Sequence, residues 1–441
     1  MDLAGWQERF DGLARRYGVP GASLALLCDG RVQVLATGLL NLDTGVEATT
    51  DSLFQIGSIT KVYTATVVMR LVERGLVALD TPVAEVLPGF RVADQDASRR
   101  VTVRNLLAHT SGISGEPDID AGRGDDCLER YVDACASLGQ CHPLGACFSY
   151  CNAGYSILGR IIERLTGMVW DTALRELLLE PAGLTSTWTL PEDVIRFRAA
   201  MGHLVVEGRA VPAPTWSFPR ADGPQGLICA TAADVLGFAE LHLASNVPSL
   251  AEMRQPQITL PHSHDGTHAH WGLGWALFDW GRPVFGHDGD TIGQSAVLRV
   301  VPDAGVAVVL LANTEAFGEF YRDVFGEVLD TFANIAMPAP LAPPAVPVQV
   351  DASRHVGVYE RSDMRVEASS RPGGGLSLHI KRIDAYASLQ PPQTCDLVAT
   401  ADGRFLYRRP GSNRWLSTVF VTSPEGADYL FLGARAFPRV R

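Results

Sequence analysis

The chain has 441 residues, a formal net charge of −12, 46% hydrophobic and 20% charged residues, which is the make-up of an ordinary globular protein with room for one large and one small domain. No run of Lys or Arg offers a footing for nucleic acid or an anionic membrane surface. No apolar stretch reaches the roughly 18 to 20 residues of a membrane span.

Leu3, Trp6, Phe10, Leu13 and Tyr17 are spaced by threes and fours, which predicts an amphipathic helix at the start. A secretory leader has a basic start and a continuous apolar core instead, so the expected location is cytoplasmic. Gly21 to Thr37 reads as a hairpin turning at Asp29-Gly30. After a loop, Val62, Ala65, Met69, Val72 and Leu76 share one helical face that ends near Gly75 and Pro82. Ser58 thus stands at the start of a buried helix with Lys61 one turn on, and residues three apart are neighbours on a helix surface.

From about Asp80 to Ser245 short helices alternate with long polar loops. Five of the eight cysteines, Cys127, Cys135, Cys141, Cys147 and Cys151, cluster there. Their spacing does not match the paired knuckles of zinc sites, and free thiols or a local disulfide are expected. Pro283 to Gly286, Ser295 to Val301 and Val306 to Leu311 read as strands, and a last helix covers about 317–335. This order predicts an α+β fold whose antiparallel sheet joins both ends of the chain. Pro338, Pro340, Pro343, Pro344 and Pro347 mark a stiff linker over 337–349. Beyond it, 350–441 carries short alternating segments with turn signals at Pro372-Gly373 and Asp402-Gly403, the pattern of a small antiparallel barrel or sandwich. The expected domains are therefore 1–336 and 350–441.

Of the 37 basic residues only two are lysines, Lys61 and Lys381. Arginine stays protonated at any pH a protein meets, whereas lysine becomes a base once its pKa falls. Lys61, in Gly57-Ser58-Ile59-Thr60-Lys61, is placed to take the proton of Ser58, which is a weak nucleophile until something does. Two other clusters compete for attention. His262, His264, His268 and His270 flank Asp265-Gly266 in a loop. They have the numbers for zinc, but a solvent-exposed loop is the expectation, and no metal or cofactor is implied. Trp216 and Phe218, ahead of Gly226-Leu227, either line an apolar acyl pocket or pack in the core.

Ser58-x-x-Lys61, Tyr150-Cys151-Asn152 and His287-Asp288-Gly289 occur in that order, with His109-Thr110-Ser111-Gly112, Trp271-Gly272-Leu273-Gly274-Trp275 and Val308 to Asn313 as supporting segments. The set, over roughly 5–335, resembles the penicillin-recognising serine enzymes of the class C β-lactamase, D-alanyl-D-alanine peptidase and esterase branch. The resemblance implies that fold, an acylated Ser58, Lys61 as its base, Tyr150 as proton donor to the leaving group, and Asn152 holding the substrate amide or the lysine. It puts His287 where many relatives have Lys, Gly289 where a ligand approaches closely, and an oxyanion hole at the N–H groups of Ser58 and Asp290. Asp290 departs from the usual small or neutral residue, which weakens recognition of a penicillin carboxylate. Tyr359 to Arg435 resembles the lipocalin-like module of D-amino-acid peptidases and peptide-cyclising thioesterases of this family. That likeness would bring Arg435, Arg439 or Arg441 towards a substrate carboxylate, if they are not simply exposed terminal charges.

The expected activity is acyl transfer from an ester, thioester or amide donor, small-molecule or peptidyl, to water or an amine, in biosynthesis of a natural product. A D-amino-acid peptidase or β-lactamase-type amide hydrolase is the alternative. A non-catalytic acyl or peptide binder and a zinc hydrolase built on the histidine loop complete the set. Oligomeric state is not legible.

Overall fold

The computed structural model describes residues 3–441 except Asp118, Ser245, Asn246, Asp265, Pro347, Gly373, Ala385, Tyr386 and 388–390. Asp265 of the histidine loop, Pro347 of the linker and Gly373 of one turn signal lie outside the described residues.

A nine-stranded antiparallel sheet forms the centre. Its first and last strands along the chain meet in its interior, where Gly21–Cys28 pairs with Val306–Ala312 in a register running from Ala22 opposite Ala312 to Leu27 opposite Ala307. On the far side follow Gln294–Val301 and Pro283–Thr291. Side chains of a strand alternate between faces, and here both faces are covered. Leu24, Leu26, Val306, Val308 and Leu310 pack under the helices Leu3–Tyr17 and Gly318–Ala333. Ala25, Leu27, Ala307, Val309 and Leu311 face the other way, into the core that holds Thr60–Glu73 and Ala153–Thr166. That double burial explains why these strands read as unbroken apolar runs.

The sequence reading of Thr60–Glu73 is corrected in one respect. The helix is buried all round from Thr60 to Met69 rather than along one stripe, and Leu76 lies beyond its end, half exposed. Gly75, at φ +70°, turns the chain away first, a conformation that side chains with a Cβ rarely adopt.

Asn334, in the left-handed conformation, ends the helix Gly318–Ala333. The described part of 337–349 is irregular and folds back, with Pro338 O accepting a hydrogen bond from Arg322. Eight consecutive antiparallel strands from Gly357–Glu360 to Arg435–Pro438 then form an up-and-down sheet. Val440 N donates to Val358 O (2.7 Å) and Tyr359 bridges Arg439, so the last strand meets the first and the sheet is nearly closed into a barrel. Tyr359, Leu378, Phe405, Leu430 and Phe437 fill it. Cysteines in the described chain are free thiols, and Cys147 packs against Val419, Tyr429, Phe431 and Ala436 of the barrel. No helix among the described residues is long and apolar enough to cross a membrane.

The histidine loop differs from its expectation. It is partly covered: His262 is buried against Phe431, His264, His268 and His270 are half-buried, and Ser417 of the barrel donates to the carbonyls of both His264 and Ser263 at 2.8 Å. The described residues contain no cluster of three metal-ligating side chains.

Candidate active site

Ser58 lies in a single 3-10 turn, Gly57–Ile59, that runs directly into the helix Thr60–Glu73. The turn is anchored from below: Ile56 N donates to Ile228 O (2.9 Å), and Ile228 N donates to Thr60 Oγ1 (3.1 Å). The same anchoring brings Gln225-Gly226-Leu227 alongside. Lys61 Nζ lies 3.0 Å from Ser58 Oγ and donates to Gln225 O at 2.7 Å. The amine is buried (1% exposed) and faces the rings of Tyr150 (5.0 Å) and Tyr155 (5.7 Å). Burial drives its pKa down to about 7; Arg435 pushes the same way, while Glu116, Cys151 and Asp222 resist. Loss of hydration disfavours the ammonium form, and a second cation adds repulsion. A neutral amine at hydrogen-bond distance from a hydroxyl can accept its proton.

Tyr150 sits on a segment without regular structure. Its phenol is pushed up by burial, with the hydrogen bond to Ser58 working the other way, so it is protonated at neutral pH. The ring stacks on His109 (4.2 Å between centroids). His109 is buried, has φ +55°, and accepts from Cys151 N through Nδ1 at 3.0 Å. Burial holds it well below the usual histidine range, so it is a neutral base under Tyr150.

His287 to Asp290 were expected to follow a strand, but they are part of one: Pro283–Thr291 pairs with Gln294–Val301 up to Thr291 opposite Gln294. This places Gly289-Asp290 against Gly57-Ser58. A Cβ on Gly289 would stand 1.9 Å from Ile56 O and 2.9 Å from Ser58 N, and one on Gly57 would stand 2.6 Å from Asp290 N. The close approach therefore requires glycine on both sides. His287 Nδ1 donates to Asp288 O (2.6 Å), which leaves Nε2 as a buried lone pair with no partner among the described residues. Burial takes its pKa down to about 3. His287 is thus uncharged at neutral pH. Asp288 is ion-paired with the buried Arg299 at 2.5 Å. Asp290 is exposed and accepts from Ser295 Oγ (2.8 Å); Arg409 and Arg414 of the barrel act on it electrostatically.

The barrel closes over the cleft. Tyr150 N donates to Ala434 O at 2.9 Å, and the Arg435 guanidinium lies 5.5 Å from the Tyr150 ring centre. Arg439 is turned away, bonded to Asp428 and Val356 O, and Arg441 pairs its backbone with Val358. Asn152 does not reach Lys61 through a hydrogen bond; Nδ2 donates to Glu116 Oε1 at 2.7 Å. Trp216 packs on the cluster of Leu53, Val194 and Cys229 with its indole N–H on Ala200 O (2.9 Å). Phe218 is half-buried two residues further on, and Leu227 is buried.

Residues that spacing did not single out complete the site. Glu116, Tyr131 and Asp222 line a recess with Asp363, Arg382 and Asp384 of the barrel. Gln225 Nε2 donates to Asp222 Oδ1 at 2.6 Å and to Glu116 Oε2 at 3.5 Å. Burial and the neighbouring Glu116 raise Asp222 to about 7. Loop carboxylates carry no periodic signal, so only the fold reveals them.

Residues 6–331 match the family described as Beta-lactamase, and the chain belongs to it: it is a serine enzyme of the β-lactamase and penicillin-binding-protein superfamily. It is 50% identical over 374 residues to penicillin-binding protein 4 of Amycolatopsis lactamdurans, covering 82% of this chain and 98% of that one. Its fold matches the crystal structure of SurE with a TM-score of 0.80 at 29% identity, over 99% of both chains. A D-amino acid amidase from Ochrobactrum anthropi SV3 matches with a TM-score of 0.62 at 26% identity, over 75% of this chain and 99% of its own.

Proposed function

We propose that this serine hydrolase forms an acyl-enzyme on Ser58 from an ester, thioester or amide donor and releases the acyl group to an amine or to water, in the biosynthesis of a natural product. The observation that carries the reading is Lys61: a buried amine, half neutral near pH 7, 3.0 Å from Ser58 Oγ. Ser58 Oγ attacks the carbonyl carbon as its proton passes to Lys61 Nζ. The carbonyl oxygen becomes an oxyanion between the amides of Ser58 and Asp290. Collapse breaks the bond to the leaving group, which takes a proton from Tyr150, and Tyr150 regains one from Lys61. The second nucleophile repeats the steps in reverse: it loses a proton to the same relay, attacks the ester carbon, and Ser58 Oγ leaves protonated. Electrostatic stabilisation of the oxyanion is commonly the largest contribution to such a step.

Hydrolysis of an amino-acid amide or short peptide is the second reading. The acidic recess of Glu116 and Asp222 favours a donor with an ammonium group. Crystal structures of SurE with D-Leu and of the amidase complexed with D-phenylalanine support testing D-configured donors.

Intact-protein mass after mixing with a p-nitrophenyl ester, a peptidyl thioester, a D-amino-acid amide and a penicillin tests both readings. The expected result is an adduct that Ser58→Ala abolishes. Faster decay with an added amine supports acyl transfer, and decay indifferent to the amine supports hydrolysis. Absence of any adduct sinks the acyl-enzyme reading.

A further inference from the structure

We propose that Arg361, a barrel residue that touches neither Ser58 nor Lys61, is a positioning residue for Tyr150, acting through the hydroxyl oxygen of Ser149 to clamp the Tyr150 segment and the Arg435 hairpin together. The proposal rests on the acyl-enzyme reading above.

Phe148, Ser149 and Tyr150 belong to no helix or strand, so nothing in their own backbone ladder fixes them. Two things hold the segment. From its own domain, His109 accepts Ser149 N through its carbonyl oxygen (2.9 Å) and Cys151 N through Nδ1 (3.0 Å). From the barrel, Tyr150 N is taken by Ala434 O, while Ser149 Oγ accepts Ala436 N at 3.2 Å and Arg361 Nη1 at 3.3 Å. Cys141 Sγ also points at Ser149 Oγ from 3.5 Å. Ser149 is buried (1% exposed) and Arg361 nearly so (5%). The guanidinium is held in turn by Asp363 (Nε to Oδ1, 3.0 Å) and lies over the Phe437 ring at 5.5 Å. A charged donor on a buried oxygen makes a stronger bond than a neutral one, and removing it leaves that oxygen short of a partner in a dry place.

The clamp has two chemical consequences. It fixes the phenol that hands over the proton. It also fixes Arg435, which sits between the clamp residues Ala434 and Ala436. Lys61 is faced by Glu116, Asp222 and Cys151, by the rings of Tyr150 and Tyr155, by the neutral His109 and His287, and by one cation, Arg435. Loosening the hairpin removes the repelling cation from that set of described neighbours. Lys61 then keeps its proton to higher pH.

The test is the rate of Ser58 acylation by an amino-acid p-nitroanilide, whose leaving nitrogen must take up a proton, followed from about pH 5.5 to 9.5, across the range where Lys61 titrates, in the full chain. Arg361→Met, Arg361→Lys and Ser149→Ala are compared with wild type. The expected result is a fall of roughly 10- to 100-fold for Arg361→Met, the scale of a misplaced catalytic group. Donor affinity stays near wild type, the acid limb moves to higher pH, and Arg361→Lys restores part of both. Ser149→Ala removes the same oxygen without touching the Arg361–Asp363 pair, so it decides the matter if Arg361→Met does not fold. Wild-type rate and limb in Ser149→Ala and in folded Arg361→Met overturn the proposal. So does an equal loss at every pH with the limb in place, which is what general loosening gives. A wild type that is never acylated overturns the acyl-enzyme reading and this inference with it.

Discussion

The helix Thr60–Glu73 and the segment 147–151 bring side chains to one cleft, but they are held there by different means. The helix and the 3-10 turn that leads into it deliver Ser58 and Lys61 by local geometry, three residues apart, and the helix packs on all sides inside the core. The Tyr150 segment has no ladder of its own and is seated between His109 and the C-terminal barrel. The nucleophile and its base therefore come from the packed core beside the nine-stranded sheet, while the proton donor depends on contact with the barrel. Damage in the core should abolish the chemistry, and damage at the barrel should retune it.

Ser58→Ala is the largest expected effect. It should eliminate the covalent adduct and lower turnover by at least about 10⁴-fold, the scale of losing a nucleophile, as read by intact mass and steady-state rate. Lys61→Arg comes next, with a loss of about 10³-fold at every pH, because the guanidinium keeps its proton. In wild type the rate should be low in acid, climb through about pH 7 as Lys61 loses its proton, and level off above. A wild-type limb far from neutrality would break the assignment of Lys61.

Gly289→Ala probes the seam between strand and helix. Its Cβ would strike the Ile56 carbonyl, so a cost of about 1 to 3 kcal/mol is expected, seen as a lower melting temperature together with slower acylation. Arg435→Gln sharpens the comparison itself. By removing a repelling cation it should shift the acid limb upward while the high-pH plateau stays close to wild type, a change in a helix residue caused from the barrel. An unmoved limb would separate the two regions after all. Asp290→Asn is the smallest effect: a gain of a few-fold in acylation by donors carrying a carboxylate, from reduced like-charge repulsion.

What was legible in the chain follows the same division. Ser58 and Lys61 could be paired by spacing alone, and the strands at 21–28 and 306–312 announced themselves because burial on both faces made them apolar throughout. The sequence ends this strand at Gly286, yet the ladder to Gln294–Val301 carries it through His287-Asp288-Gly289-Asp290 to Thr291 and puts the turn at Ile292-Gly293, where Gly293 has φ +74°; tertiary pairing overrides local preference. The histidine loop looked solvated because the surface that covers it lies about 150 residues later, in Ser417 and Phe431. Glu116, Asp222 and the Ser149–Arg361 bond were invisible for the same reason. They are products of long-range packing, and a single sequence records no sign of which loop will meet which strand.

The register that opens the central sheet has a bearing on how the protein is made. Ala22 is paired with Ala312, so the first hairpin leaves the ribosome with one edge bare and waits for most of the chain before its neighbour exists. At about 5 to 20 residues per second that delay is on the order of tens of seconds. Sheets that depend on such distant partners fold slowly and expose pairing edges meanwhile. Tyr150 waits longer still, until Ala434 arrives. A nascent chain can own its serine and its lysine well before it owns a complete proton relay, and competence for chemistry is expected to be the last property acquired.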